Sequence, residues 1–261
     1  MDLGLHGRHA LVVGASRGIG LEIWRQLDAE GARVTVAGHR RETLEAAAAE
    51  HGLTPHDVLI VDVASEESID AALAELDARG EPVDIVVLSV ARPGFDSIWD
   101  FDVREWELNL RTKYIGPGHL SRSLARRMGA NGGGVIVLLS GIASTGVMGD
   151  TLATGGANAA IDNFVRQLAS AAGPLGVRVV GVSPGTTVTP RFEQWASAET
   201  IAEMEALVPL GRLGGADELA SVVTFLASPR AGYVNGTTVV VDGGLTTSAR
   251  YRADIGGAVA P

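Results

Sequence analysis

The stretch His9–Gly20, HALVVGASRGIG, decides the fold. Its first five residues, His9, Ala10, Leu11, Val12 and Val13, have the character of a short strand, and Gly14, Ala15, Ser16, Arg17, Gly18, Ile19 and Gly20 follow without a linker. Leu21, Ile23, Trp24 and Leu27 then recur at helical spacing. The glycines therefore fall on a strand-to-helix turn, where unpaired backbone N–H groups at the helix start face whatever anion docks there. Three glycines answer three needs: a tight turn, close approach of backbone to a pyrophosphate, and close packing of helix on strand. The competing reading is a purely structural turn.

Moving outward, apolar segments at 9–13, 33–38, 57–62, 83–90, 134–140, 177–183 and 237–241 alternate with segments of helical periodicity. Such alternation predicts an α/β fold: a doubly wound, parallel, seven-stranded sheet of Rossmann type with helices on both faces, and ligands beyond the carboxyl ends of the strands. The 261 residues are 46% hydrophobic and 20% charged, enough to bury one large core, and no linker or repeat divides them, so residues 1–261 read as a single domain. The apolar runs are too short to span a membrane and no basic-then-apolar leader is present, which predicts a soluble, cytoplasmic protein. With no cysteine there is neither disulfide nor thiolate chemistry, and the six histidines lack paired metal spacing, so no metal is expected. A formal net charge of −10 argues against nucleic acid or an anionic membrane as partner and leaves a small molecule.

The glycine spacing, three residues and then one, resembles the Thr-Gly-x-x-x-Gly-x-Gly fingerprint of the short-chain dehydrogenase/reductase family, with Val13 where threonine is usual. The resemblance covers almost the whole chain. It is strongest near the end, where Pro209–Gly214, Glu218, Phe225–Ser228, Tyr233, Asn235, Gly236 and Asp242–Gly244 look like the family's closing signature. That segment implies an oligomer, usually a homotetramer, and leaves room for a hetero-oligomer with an active relative.

An NAD-preferring site places a carboxylate at the end of the second strand, against the ribose 2′-hydroxyl. Here that strand, Arg33 to Gly38, is followed by His39, Arg40 and Arg41. Together with Arg17 these cations suit a 2′-phosphate, because guanidinium groups bind phosphate with paired hydrogen bonds. NADP(H) is therefore favoured over NAD(H). The alternative, that Arg40 and Arg41 merely open a solvated helix, sets basic residues against the helix dipole. Asp62 and Val63 resemble the family's pair that contacts adenine, although Asp62 could equally cap the helix after Ser65.

By resemblance, a tyrosine transfers the proton, a serine orients the substrate, a lysine lowers the tyrosine pKa and an asparagine completes the relay. Asn109, in Trp106–Leu110, matches the asparagine. The strand Val135–Leu139 places Gly141 at the serine position, with Ser140 one residue early, so that its hydroxyl is expected on the other side. Thr154 stands at the tyrosine position and Asn158 at the lysine position, and Ala159, Phe164, Leu168 and Ala169 continue the helix pattern without a gap. A threonine hydroxyl is a far weaker acid than a phenol of pKa about 10. Polyketide-synthase ketoreductases also carry asparagine at the lysine position, but they keep the tyrosine and serine. Asn109, Ser140, Thr154 and Asn158 are thus the candidate catalytic residues.

Around the same cleft, Leu88, Ser89, Val90 and Ala91 replace the family's Asn-Asn-Ala-Gly, so Ser89 and Ala91 face the cofactor and a methyl group stands where glycine normally admits backbone. Arg92 reads either as a cavity cation or as a surface residue. Pro117 removes the N–H that would bond the carbonyl of Lys113 and is expected to break or kink its helix. Lys113, one turn beyond Asn109, reads either as a cation returned to the site or as a subunit contact. Pro184, Gly185 and Thr189 resemble the family's Pro-Gly-x-x-x-Thr, which holds the nicotinamide carboxamide. Residues 186–208 read as a substrate lid whose Phe192, Trp195, Ile201 and Met204 suit an apolar or polycyclic ligand or simply pack the lid. A tail, residues 245–261, carries Arg250, Tyr251 and Arg252. Three functions follow: an NADP(H) oxidoreductase for a carbonyl or alcohol whose proton comes from Lys113, from Tyr251 of a neighbouring subunit or from the substrate itself; a non-redox cyclase, lyase or dehydratase; or a silent subunit beside an active relative.

Overall fold

In the computed structural model, which describes residues 2–92, 99, 102–146, 151–194 and 196–248, the strand that precedes the glycine turn is β1 (His9–Val13). It pairs in parallel with β2 (Arg33–Gly38) on one side and β4 (Ile85–Leu88) on the other. With β3 (Asp57–Ile60), β5 (Gly134–Leu139), β6 (Val177–Pro184) and β9 (Thr238–Val241) it forms a seven-stranded parallel sheet in the order β3-β2-β1-β4-β5-β6-β9. The expected fold is the observed one. Strand direction of growth reverses between β1 and β4, which opens a crevice at their carboxyl ends.

Both faces of the sheet are covered. In β1, Ala10 and Val12 point to one core and Leu11 and Val13 to the other, as the two-residue period requires. The first core takes Trp24 and Leu27 from α1 (Gly18–Ala29), Leu44 from α2 (Arg41–His51), and Leu219 and Val223 from α9 (Ala216–Ala227). The second takes Ile69 and Leu73 from α3 (Glu66–Arg79), Leu120 and Leu124 from α5 (Gly116–Ala130), and Ile161 and Val165 from α6 (Leu152–Ala172). Burying one such side chain contributes roughly 1.5–3 kcal/mol, so the two layers hold the strand ends rigidly in place. No helix among the described residues is long and apolar enough to cross a membrane.

Some boundaries differ from the sequence expectation. The runs 57–62 and 83–90 are strand only over Asp57–Ile60 and Ile85–Leu88, although the Val61 and Ser89 N–H groups still bond the Gly38 and Val13 carbonyls. Between α4 (Val103–Leu110) and α5 the helix widens into a π-turn, Arg111–Ile115, in which the Gly116 N–H bonds the Arg111 carbonyl. Pro117 lies in the first turn of α5, so the break expected from its missing N–H is realised as one extra residue in the turn before it. The π-turn sits close to the sheet: a Cβ on Gly116 would stand 1.7 Å from the Val63 carbonyl oxygen.

The segment 186–208 forms β7 (Thr187–Val188), α7 (Pro190–Glu193) and α8 (Ala198–Leu207), and β7 pairs with β8 (Gly214–Gly215). Phe192 and Val208 pack with Ile142, Leu213 and Leu245 in a third apolar cluster against which Ile201 and Met204 rest. Trp195 and residues 249–261, including Arg250, Tyr251 and Arg252, lie outside the described residues.

Candidate active site

The glycine turn is built by close backbone approach. The Gly14 N–H bonds the Ala37 carbonyl at 2.8 Å and the Ser89 N–H bonds the Val13 carbonyl at 2.9 Å, so the ends of β1, β2 and β4 meet. A Cβ on Gly14 would stand 2.3 Å from the Ser89 carbonyl oxygen, and one on Gly20 would stand 2.1 Å from the Gly14 carbonyl oxygen. Neither position accepts a larger residue without parting the strands. The N-cap of α1, Arg17, is extended and provides no side-chain cap, leaving the first-turn N–H groups of Gly18, Ile19 and Gly20 for a ligand. Ser16 lies in the same turn. Across the crevice, Thr189 approaches Gly18, whose added Cβ would meet the Thr189 methyl at 3.5 Å. These features fit the pyrophosphate of a dinucleotide.

Arg17, His39 and Arg40 are exposed at the rim beside this turn, with no ion-pair partner among the described residues. Arg40 is the N-cap of α2, and Arg41 reaches Glu45 at 3.7 Å along the helix. Asp62 is exposed and its Oδ1 accepts the Ala64 N–H at 2.9 Å, whereas the cap of α3 is Ser65, which accepts the Ser68 N–H at 3.1 Å. Val63 is buried under the π-turn.

A cavity of about 390 Å³ opens beyond the carboxyl ends of β4, β5 and β6. Ile19, Ser89, Ala91, Pro184, Gly185 and Thr189 line it, as do Ser140, Thr154 and Asn158, so one space joins the expected cofactor and catalytic residues. Its remaining wall is largely apolar, with Val90, Leu139, Ile142, Phe192 and Met204. Asn109 is buried behind this wall. Its Nδ2 donates to the Arg92 carbonyl at 3.0 Å and to the Thr154 hydroxyl at 3.4 Å, while its Oδ1 has no partner among the described residues.

Ser140 is buried, lines the cavity, and its hydroxyl donates to the Val182 carbonyl of β6 at 3.5 Å. Gly141 is extended, at φ 163°, a conformation open to any residue. What limits it is space: a Cβ there would stand 2.7 Å from Asn158 Nδ2. Asn158 is itself buried, and its Oδ1 has no partner among the described residues. The glycine and the asparagine therefore fill one volume together.

Lys113 is the residue that the sequence left between two readings. It sits on the π-turn, is only 4% exposed, lines the cavity, and donates from Nζ to the Ser140 carbonyl at 3.1 Å. Burial lowers its pKa from the ordinary 10.5 to about 8, against the opposing field of Asp162 on α6. The arrangement excludes the subunit-contact reading for its ammonium. One signal in the sequence could have found it: Lys113 is the only lysine in the chain, and every other strongly basic residue is arginine. Arg92 also lines the cavity, half-exposed, and pairs with Glu105 at 2.6 Å.

At the amino ends of the strands, opposite the crevice, His9, His56 and Glu81 come together, a grouping that their sequence spacing does not disclose. Both ring nitrogens of His9 already bond, to the Pro82 carbonyl and the Thr35 hydroxyl, and Arg33 shares Glu81 Oε2 with His56. The cluster is far in the fold from the cavity and plays no part in it.

Comparison with known proteins supplies the remaining evidence. Residues 14–246 match the sequence profile of a family described as enoyl-(acyl carrier protein) reductase. Galactitol 2-dehydrogenase (L-tagatose-forming) of Cereibacter sphaeroides is 34% identical over 254 residues, spanning 93% of this chain and 96% of that protein. A gluconate 5-dehydrogenase from Burkholderia cenocepacia J2315, solved in complex with NADP and tartrate, superposes with a TM-score of 0.88 at 28% identity over 95% of this chain and 98% of its own. A 7 alpha-hydroxysteroid dehydrogenase, solved with NADH and 7-oxo glycochenodeoxycholic acid, gives a TM-score of 0.86 at 28% identity over 93% of this chain and 96% of its own.

Proposed function

Because the chain belongs to the short-chain dehydrogenase/reductase family, we propose that it is an NADP(H)-dependent oxidoreductase that interconverts the carbonyl and alcohol forms of an apolar, up to polycyclic, substrate. In this reading it works without the tyrosine, lysine and serine usual in the family. The observation that carries it is the single cavity that joins the helix-start wall at Ile19 to Pro184, Gly185 and Thr189 and is otherwise largely apolar. Bound nucleotide would supply or accept hydride. The free N–H groups of the first turn of α1 would hold its pyrophosphate, and Pro184, Gly185 and Thr189 its carboxamide end.

The preference for NADP(H) rests on the exposed guanidinium groups of Arg17 at the start of α1 and Arg40 at the start of α2, and on His39 rather than an acid following β2. Similar structures hold either NADP or NADH, so this preference comes from the residues of this chain. Assembly as a homotetramer is supported by the exposed Leu210, Phe225 and Tyr233 of the closing segment. Direct titration with NADPH and NADH tests the cofactor reading. The expected result is tighter NADPH binding, with Arg17→Ala and Arg40→Ala each losing about 1–2 kcal/mol of that preference and leaving NADH affinity unchanged. Equal affinities in the parent would remove it.

A second reading is favoured by one observation. The Oδ1 of Asn158, a cavity-lining residue, has no partner among the described residues and is an acceptor that a donor-bearing ligand could satisfy without any hydride transfer. Conversion that persists after the nucleotide is stripped would select that non-redox enzyme.

A further inference from the structure

Every strongly basic residue of the chain but one is an arginine, and the exception is buried in the cavity wall. The distinction is chemical. A guanidinium keeps its proton under all ordinary conditions, whereas an ammonium taken out of water can lose it and regain it. Lys113 is placed for such exchange. Its Nζ spends one hydrogen bond on the Ser140 carbonyl, and no carboxylate pairs with it among the described residues. The charged group whose field reaches it is Asp162 on α6, whose Oδ1 is already engaged by the Thr238 hydroxyl at 3.0 Å. On the loop after β4, Arg92 and Glu105 of α4 neutralise one another at the rim. Lys113 and Arg92 are therefore the titratable groups lining the cavity among the described residues, and Arg92 cannot give up its proton. The π-turn is a second, independent sign, because an extra residue in a helical turn re-aims the side chains it carries and such turns cluster at functional sites.

We propose that Lys113 is the proton donor of this site: its ammonium protonates the oxygen of a carbonyl substrate during reduction, and its neutral amine takes the hydroxyl proton of an alcohol during oxidation. The inference rests on the redox reading above and names the group that replaces the family's phenol. In reduction an N–H bond breaks and an O–H bond forms on the substrate oxygen, which holds the electron pair released from the carbonyl π bond. The reducing equivalents are those of the nicotinamide nucleotide, and the amine recovers its proton from solvent water. Thr154, which lines the cavity and whose hydroxyl accepts from Asn109 Nδ2, keeps its own O–H to orient the substrate oxygen.

The test uses the full chain and a panel of apolar ketones with NADPH. Parent turnover should fall about tenfold per pH unit above about 8, where the ammonium is lost. Lys113→Met should bind NADPH as the parent does and lose about 10²- to 10⁴-fold in kcat/KM. Since the chain has no cysteine, Lys113→Cys alkylated with 2-bromoethylamine restores an amine at that position alone. Rescue with the basic limb moved to lower pH, following the weaker amine, supports proton transfer; rescue with an unmoved limb overturns it. Should Lys113→Met not fold, the cysteine variant before and after alkylation carries the comparison. A readout without nucleotide or turnover is the acetylation of the single lysine by acetic anhydride, followed by mass spectrometry. Its half-point is expected near pH 8, with slowing when cyclohexanone fills the cavity. A half-point near the ordinary 10.5, or no protection, contradicts the proposal. Parent turnover with Lys113→Met within twofold of it overturns this assignment alone. A parent that binds NADPH and never oxidises it overturns the redox reading as well.

Discussion

Lys113 carries its ammonium into an apolar wall at a cost, and that cost is measurable apart from any reaction. A pKa lowered from 10.5 to about 8 means that the folded protein disfavours the charged form. The corresponding stability is fully present above the unfolded pKa of 10.5 and is lost as pH falls through about 8, so at neutral pH the charge is a burden of roughly 3 kcal/mol. Replacing it by methionine, of similar length and without charge, should raise the melting temperature by several degrees at pH 7. The gain should shrink above pH 10; an unchanged melting temperature at pH 7 would mean that water reaches the amine. The position was legible in sequence only as one of two readings, since helical periodicity places Lys113 one turn after Asn109 and says nothing of what that face meets. The coupling of Gly141 with Asn158 was not legible at all, because residues 17 apart share one volume only through the packing of α6 on the end of β5.

At the scale of elements, the π-turn Arg111–Ile115 depends on how closely its helix rides on the sheet. A Cβ on Gly116 would stand 1.7 Å from the Val63 carbonyl oxygen, and that atom is backbone, unable to step aside as a side chain can. Gly116→Ala should therefore lift the helix, cost about 1–3 kcal/mol and lower the melting temperature by several degrees. It should also expose Lys113 and return its acetylation half-point toward 10.5, which a simple loss of stability would not do. Pro117 announced an interruption in the sequence, and the interruption is there, but whether a helix ends or merely widens is decided by the strand beneath it. The same limit applies to β7 and β8, which are too short to show a period. By contrast the glycine turn was legible in full, because a strand, a turn that admits only glycine at key points, and an amphipathic helix follow one another without interruption.

For the molecule as a whole, the parallel sheet and its two covering layers follow from the alternation of strands and helices, and the crevice follows from the reversal of strand order at β1 and β4. That geometry gathers residues from Ile19 to Met204 around one cavity, and it accounts for how much of the site could be named beforehand. Local patterns name the residues near each strand end; only the closed sheet says which of them share a space. The segment 186–208 supplies Phe192 and Met204 to the same wall, the observation on which the proposal of an apolar ligand rests. The measurement that tests the account most directly is NADPH oxidation by the purified full chain against a panel of apolar and polycyclic ketones. Ketone-dependent oxidation at neutral pH, declining above about 8, is the result expected. Bound NADPH left unoxidised by every member, while a ligand is converted in the absence of nucleotide, would contradict it.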